Sequence, residues 1–441
     1  MPQATYHFPK GFLWGTATSS HQMEGNNTNN NWHKWEEEGH TAHKSGLAAD
    51  WWGGRWREDF DRAAETGQNA HRLSVEWSRI QPTPDIWDED AIEKYRSMLR
   101  GLKERGITPM VTLHHFTDPL WLGEMDAWET EKVIPLFEKY VRKTVDALKE
   151  YCTLWCTVNE PNVYALQGYV IGDFPARHKG LKMAMTVLAN TLHGHAAAYR
   201  AIHEIQPEAR VGYAHHHRPT AAKRSWFPLD VLMSKIRFNA VNLGFPSGIS
   251  TGVMKTPIGG FSVPDAKGTQ DYLGINYYST DTISFNLSKP GQLFTHHEYP
   301  KDADVSDHGF AANIPAGLFA TIKWAVRRYP NLPIIITENG IEDSTDRMRP
   351  RYLAQHLHQI WRAVNFNWPV KGYFHWSLVD NFEWERGWNQ RFGLWGLDID
   401  TQKRIRRPSV DFYAEICKEN GLSSEMVQKY CPEVFEKIFP S

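Results

Sequence analysis

Eight short apolar runs, at residues 12–17, 70–75, 108–113, 154–158, 210–214, 272–276, 334–337 and 372–376, recur along the chain. Between them lie segments whose apolar residues fall three and four apart, as at 90–105, 133–150 and 191–205. The third carries Leu192, Ala196, Tyr199 and His203 on one helical face. Apolar runs of five or so residues are buried strands, and strands alternating with amphipathic helices build parallel sheets with helices outside. Eight such units predict an α/β fold, a single (β/α)8 TIM barrel with elaborated βα loops. The other parallel solution is an open doubly wound sheet. It wants a glycine-rich phosphate turn after its first strand, and Gly11–Gly15 does not match that fingerprint. At 441 residues the chain is long for one average domain. A barrel with long loops nevertheless holds about 400 in one, so residues 1–441 are expected to form one domain.

Two stretches read as loops. Residues 26–31 are asparagine and threonine, which favour turns; residues 284–310 are rich in Gly, Pro, Asp and His and precede a helix expected near Pro315. The tail has helical spacing at Met426, Tyr430, Val434 and Ile438, so 421–441 is expected to be a helical extension packed on the barrel exterior. No sequence period of 20 to 50 residues is visible, which disfavours solenoids and propellers.

Composition excludes several functions. Forty-nine basic against 51 acidic side chains leave a net charge of −2, so no global positive field gathers nucleic acid or anionic lipid. No run approaches 18 apolar residues, and residues 1–10 lack a basic segment followed by an apolar core. The expectation is a cytoplasmic protein without a membrane partner, free to form a homo-oligomer. The sequon at Asn26 is then unused. Cys152, Cys156, Cys417 and Cys431 are too few for a disulfide framework and read as buried thiols. Aromatic content is the outlier, with 19 Trp among the 13% aromatic residues. Flat apolar faces rimmed by N–H donors suit a sugar pocket.

In a (β/α)8 barrel the carboxyl ends of the strands converge on one mouth, where the chemistry is done. The residues at or just after those ends are Gln22, His114, His115, Asn159, Glu160, Asn276, Tyr278, Glu338, Asn339, Trp376, Glu383 and Trp384, with Arg72 within the second run. Two buried carboxylates among amides, an arginine and indoles are difficult to explain as packing, because unpaired buried charge is costly.

The runs Phe12-Leu13-Trp14-Gly15-Thr16-Ala17-Thr18-Ser19-Ser20-His21-Gln22-Met23-Glu24-Gly25, Thr157-Val158-Asn159-Glu160-Pro161, Ile336-Thr337-Glu338-Asn339-Gly340 and Trp376-Ser377-Leu378-Val379-Asp380-Asn381-Phe382-Glu383-Trp384 carry a family resemblance. With Arg406-Arg407-Pro408-Ser409 and Phe412-Tyr413, they resemble the family 1 glycoside hydrolases, over about residues 6 to 420. The resemblance implies a retaining exo-β-glycosidase that removes terminal β-D-glucosyl, galactosyl or fucosyl residues from small glycosides, without metal or cofactor. It makes Glu338 the nucleophile and Glu160 the acid/base, assisted by Arg72, Asn276 and Tyr278. It also makes Gln22, His115, Asn159, Trp376, Glu383, Trp384 and Phe392 the sugar-binding residues. Retaining hydrolysis needs two carboxyl groups about 5–5.5 Å apart, one attacking and one protonating the departing oxygen. Arg72 and Tyr278 are expected to keep Glu338 ionised, and its charge to keep Glu160 protonated.

Departures from the family pattern are informative. His21 stands where a tyrosine is common, Phe310 near an aglycone-side tryptophan, and Pro175-Ala176 where Pro-Gly is common. His215-His216-His217 invites a metal reading through His215 and His217 on one face, but no carboxylate at ligand spacing joins them. Two other functions remain in view. A 6-phospho-β-glucosidase is disfavoured by an anionic Glu383 with Glu385 nearby. A non-catalytic receptor on the same barrel is disfavoured because both glutamates stand.

Overall fold

The computed structural model describes residues 4–289 and 294–440. Its centre is a closed barrel of eight strands: β1 Leu13–Ala17, β2 Ala70–Ser74, β3 Thr108–His114, β4 Leu154–Asn159, β5 Arg210–His216, β6 Tyr272–Asn276, β7 Ile334–Asn339 and β8 Val370–Trp376. Neighbours in sequence are neighbours in the sheet, all pairs are parallel, and β8 closes on β1. Each strand is followed by an outer helix: α1 Trp56–Glu65, α2 Glu89–Glu104, α3 Val133–Leu148, α4 Leu181–Ile205, α5 Pro228–Asn242, α6 Pro315–Arg328, α7 Arg349–Asn365 and α8 Pro408–Glu419. The predicted fold class is the observed one.

Two separate apolar cores hold this architecture. The larger lies between strands and helices, where Leu73, Val111, Trp155, Val211, Ile275 and Ile336 meet Leu99, Tyr140, Ile202 and Leu357. The smaller fills the barrel itself with Ala17, Ala70, Met110, Leu154, Tyr272, Ile335 and Phe374. Strand alternation assigns successive residues to one core or the other. Large and small residues interlock inside the barrel. A Cβ on Gly212 would stand 2.8 Å from the Tyr272 ring, and one on Gly15 would stand 2.8 Å from Phe374.

Several boundaries differ from the sequence reading. Strands β3, β4, β5 and β7 run on through His114, Asn159, His216 and Asn339. Polar side chains at those ends find partners inside the mouth, so leaving the apolar run does not end the ladder. Helix α4 begins at Leu181, ten residues before the expected 191. The stretch 26–31 is a loop only to Asn30, whose side chain accepts the His33 N–H and caps helix Asn31–Glu37. Within 284–310 the expected loop contains strand residues: Asp281–Phe285 pairs antiparallel with Thr295–Glu298 and parallel with Thr220–Ala222. Residues 290–293 of that stretch lie outside the described residues. The tail is not one helix. Gly421–Ser423 pairs with Thr5–His7, and Ser424–Tyr430 stops before Pro432. Among the described residues no helix is long and apolar enough to cross a membrane.

Candidate active site

Besides a shift between Ile334 and Ile335 at the start of β7, the ladder loses its regular register at three places near the strand ends: between Cys156 and Asn159, between Ile275 and Asn276, and between Ile336 and Asn339. Such irregularities bend a strand and re-aim its side chains. Here they turn Asn159, Asn276 and Glu338 toward a common centre. Glu160 follows β4 with a left-handed backbone, φ 43° and ψ 55°, costly for a residue with a Cβ. Its peptide is held from both sides. Its N–H donates to the Ala214 carbonyl at 2.8 Å, and its own carbonyl accepts from Val163 and Tyr164 at the start of helix Pro161–Leu166.

The mouth encloses a cavity of about 760 Å³ lined by Glu160, Glu338, His115, Asn159, Tyr278, Trp376, Glu383 and Trp384 among others. Arg72 lies behind it, fully buried, and organises one side. One terminal nitrogen donates to Glu338 Oε1 at 2.6 Å, the other to Asn159 Oδ1 at 2.6 Å, and Nε to Thr112 Oγ1 at 3.0 Å. Tyr278 donates its hydroxyl to Glu338 Oε2 at 2.6 Å. Asn276 Nδ2 donates to Glu160 Oε1 at 2.8 Å and to Asn159 Oδ1 at 3.1 Å, while its own oxygen accepts from Thr337. The structure thus joins the two glutamates through one hydrogen-bonded web.

The ionisation of this pair is less simple than the sequence implies. Burial pushes the Glu338 carboxyl up to about 7; Arg72 and Tyr278 pull it down, and the Glu160 charge pushes it further up. The expected effect of Arg72 and Tyr278 is present, but desolvation exceeds it. Both Glu338 oxygens accept hydrogen bonds, whereas Glu160 is bonded only at Oε1.

Trp376 and Glu383 form the opposite wall. Gln22 does not line the cavity. It is fully buried behind Glu383, donating to Glu383 Oε2 at 3.2 Å and to the Phe382 carbonyl at 2.7 Å. His115 accepts at Nε2 from Asn159 Nδ2 at 3.0 Å, which assigns its proton to Nδ1; that atom has no partner among the described residues. Burial first, then Arg72 and His114, hold the imidazole well below its usual range, so it is neutral. His21 is structural support: it bonds Glu36 at 2.8 Å and Asn30 at 3.1 Å, and its ring lies nearly parallel to Trp384. Phe392 corrects the expectation. It does not line the cavity but packs behind Tyr278 and Phe310, with ring centroids at 6.2 and 5.3 Å. Phe310 itself does line the cavity, as do Phe174 and Arg386.

Glu383 also departs from expectation. Burial, then the Glu385 charge, push it up to about 8, against the pull of Arg386. The Glu383 carboxyl is therefore held toward its neutral form at pH 7. A carboxyl raised in the folded state holds its proton where the unfolded chain has lost it, so stability falls as pH climbs from about 4.5 to about 8. Glu383→Gln is expected to remove that slope and to stabilise the protein at pH 8, relative to pH 5, by on the order of 2 kcal/mol. Urea unfolding at the two pH values checks this; equal slopes in both proteins would contradict it.

The residue that sequence reasoning missed is His216. His215 and His217 do share a face, but it points away from the mouth toward Trp324, and both are buried and neutral. Among the described residues no cluster suited to a metal ion exists. His216, between them, lines the cavity with Nδ1 3.0 Å from Glu160 Oε1 and its ring stacked on Tyr278. The signal was present: Gly212 and Ala214 are small because that face of β5 points into the barrel, and His216 continues it.

A closed parallel barrel with paired carboxyl groups at the carboxyl ends of its strands is the plan of a barrel hydrolase. The chain belongs to glycosyl hydrolase family 1, whose model matches residues 4–250 and 260–422. It is 30% identical to a 1,4-β-D-glucan glucohydrolase of Thermotoga neapolitana, over 94% of this chain and 99% of that one. A β-galactosidase of Sulfolobus acidocaldarius is 28% identical over 95% and 96% of the two chains. Among solved structures, a β-glycosidase from Pyrococcus horikoshii superimposes with a TM-score of 0.90 at 34% identity, covering 97% of this chain and 98% of its own.

Proposed function

We propose that this chain is a retaining exo-β-glycosidase acting on terminal β-glucosides and β-galactosides, with residues 1–441 working as one catalytic domain. The observation that carries this reading is the unequal treatment of two carboxyls in one cavity. Glu338 is gripped by Arg72 and Tyr278, which hold its oxygens in place as nucleophile. Glu160 is oriented by Asn276 and His216 through one oxygen, leaving the other to protonate the departing oxygen.

The cycle follows from that asymmetry. Glu338 attacks the anomeric carbon as Glu160 transfers its proton and the aglycone leaves. Esterification removes the Glu338 charge, the Glu160 carboxyl becomes more acidic, and it then takes a proton from the attacking water. An alcohol in place of water gives transglycosylation by the same route. Asn159, held by Arg72, is placed to bond the 2-hydroxyl, where a bond that tightens in the transition state raises rate. Trp376 offers its face to the sugar, and His115 Nδ1–H a free donor.

A neutral terminal sugar fits Glu383 with Gln22 behind it, and that pair tolerates either orientation at the 4-hydroxyl. This accords with relatives named for glucan and galactoside cleavage. A 6-phosphate would meet Glu385, and the nearby Arg386 already pairs with Glu385 at 3.0 Å. Four buried free thiols fit work in a reducing, cytoplasmic setting. Nuclear magnetic resonance of the sugar released from a 4-nitrophenyl β-glucoside is expected to show the β-anomer first. Initial release of the α-anomer would overturn the proposal.

A further inference from the structure

One wall of the cavity is rich in positive charge. It is built by Arg218 beyond β5, by α5, and by the paired strands Asp281–Phe285 and Thr295–Glu298. Its polar lining residues include Arg218, Arg237, Lys289, His296 and His297, with Asp281 as carboxylate. Asp281 is already engaged. Its Oδ1 accepts from Arg218 Nε at 2.6 Å and lies 2.9 Å from His297 Nε2.

Among the described residues Arg237 and Lys289 are left without an anion. Arg237 makes no ion pair or hydrogen bond among the described residues, and its Nε is buried without a partner. Burial lowers the Arg237 guanidinium from its usual range, with Asp281 raising it and Arg218 lowering it. Lys289 Nζ lies 3.0 Å from His296 Nδ1, not against a carboxylate. A half-buried guanidinium without a counterion is costly, and an arriving oxyanion would supply what the protein withholds. Apolar surface adjoins it: Val170 and Ile171 line the same cavity and are 45% and 58% exposed.

This wall lies on the leaving-group side. Arg218 stands two residues past His216, which touches Glu160, whereas Trp376 and Glu383 belong to the sugar wall. We propose that the leaving-group end of the cavity binds aglycones that carry an oxyanion on an apolar body, with Arg237 as the counterion. The inference rests on the glycosidase reading above and names the substrate class for that site.

The test compares 4-(carboxymethyl)phenyl β-D-glucoside with its neutral carboxamide, whose phenols depart with similar ease because a methylene insulates the ring. In the native enzyme at low ionic strength, kcat/KM is expected to favour the acid by about tenfold, as one charge-assisted hydrogen bond would provide. The preference should shrink toward parity in molar salt. Arg237→Gln should bring the ratio close to one, and Arg237→Lys should retain part of it. Equal kcat/KM in the native enzyme would overturn the proposal whatever the variants do. So would an undiminished ratio in Arg237→Gln. Cleavage of the amide alone or of both compounds upholds the glycosidase reading independently, while cleavage of neither would remove that reading and this one with it.

Discussion

Glu338→Ala is expected to lower kcat by roughly 10⁴-fold or more, because no other side chain can form the covalent intermediate. The loss has a chemical signature. Alanine vacates the space between Arg72 and Tyr278, two donors that held a carboxylate. Azide, a small anion, can enter that space and attack the anomeric carbon from the same face. With an activated aryl β-glucoside the product should be the α-glycosyl azide. Glu338→Ala and Glu338→Gln both remove the counter-charge of buried Arg72, at a cost of about 3–5 kcal/mol. Glu338→Gln keeps the volume and one acceptor oxygen for Arg72, so comparing the two separates loss of the nucleophile from the cavity left by alanine. Full activity in either variant would end the assignment.

Glu160→Ala should behave differently, and the contrast is the stronger test. Removing an acid that protonates the leaving oxygen costs about 10²–10⁴-fold for alkyl glycosides, whose alkoxides cannot depart unassisted. A 2,4-dinitrophenyl glucoside needs no proton, so its first step should be nearly unaffected. The second step then loses its base, and a burst of dinitrophenolate should precede slow turnover. Azide attacking the intermediate from the vacated Glu160 side should yield the β-glycosyl azide. Opposite azide anomers from the two variants would place the two carboxyls on opposite faces of the sugar. A uniform loss across leaving groups would instead mean that Glu160 only supports the site.

Much of this was legible in the chain because a parallel barrel couples position in sequence to position in space. A strand end is a site residue almost by construction, so Asn159, Glu160, Asn276 and Glu338 could be placed together before any coordinates. Residues beyond the strand ends were harder. Phe392 lies in the loop after β8, where no period fixes direction, and it turned inward to packing. Gln22 was correctly grouped with Glu383 but supports it from behind. His216 was hidden within three identical residues, although the small residues before it fixed the phase. Ionisation depended on desolvation, a quantity set by every neighbouring atom and by no motif. Arg237 belongs to a helix whose exposed Leu232 and Ile236 give no hint that another face borders the cavity.

The three lapses of register have a practical consequence. Below them the sheet is regular but for the shift at Ile334 and Ile335, and its apolar residues answer chiefly to volume. Above them each backbone bend answers to one catalytic group. A mutational campaign for heat resistance therefore has a natural waterline: volume-conserving apolar substitutions beneath it should be tolerated, while those above it, and at Arg72, will be felt as turnover.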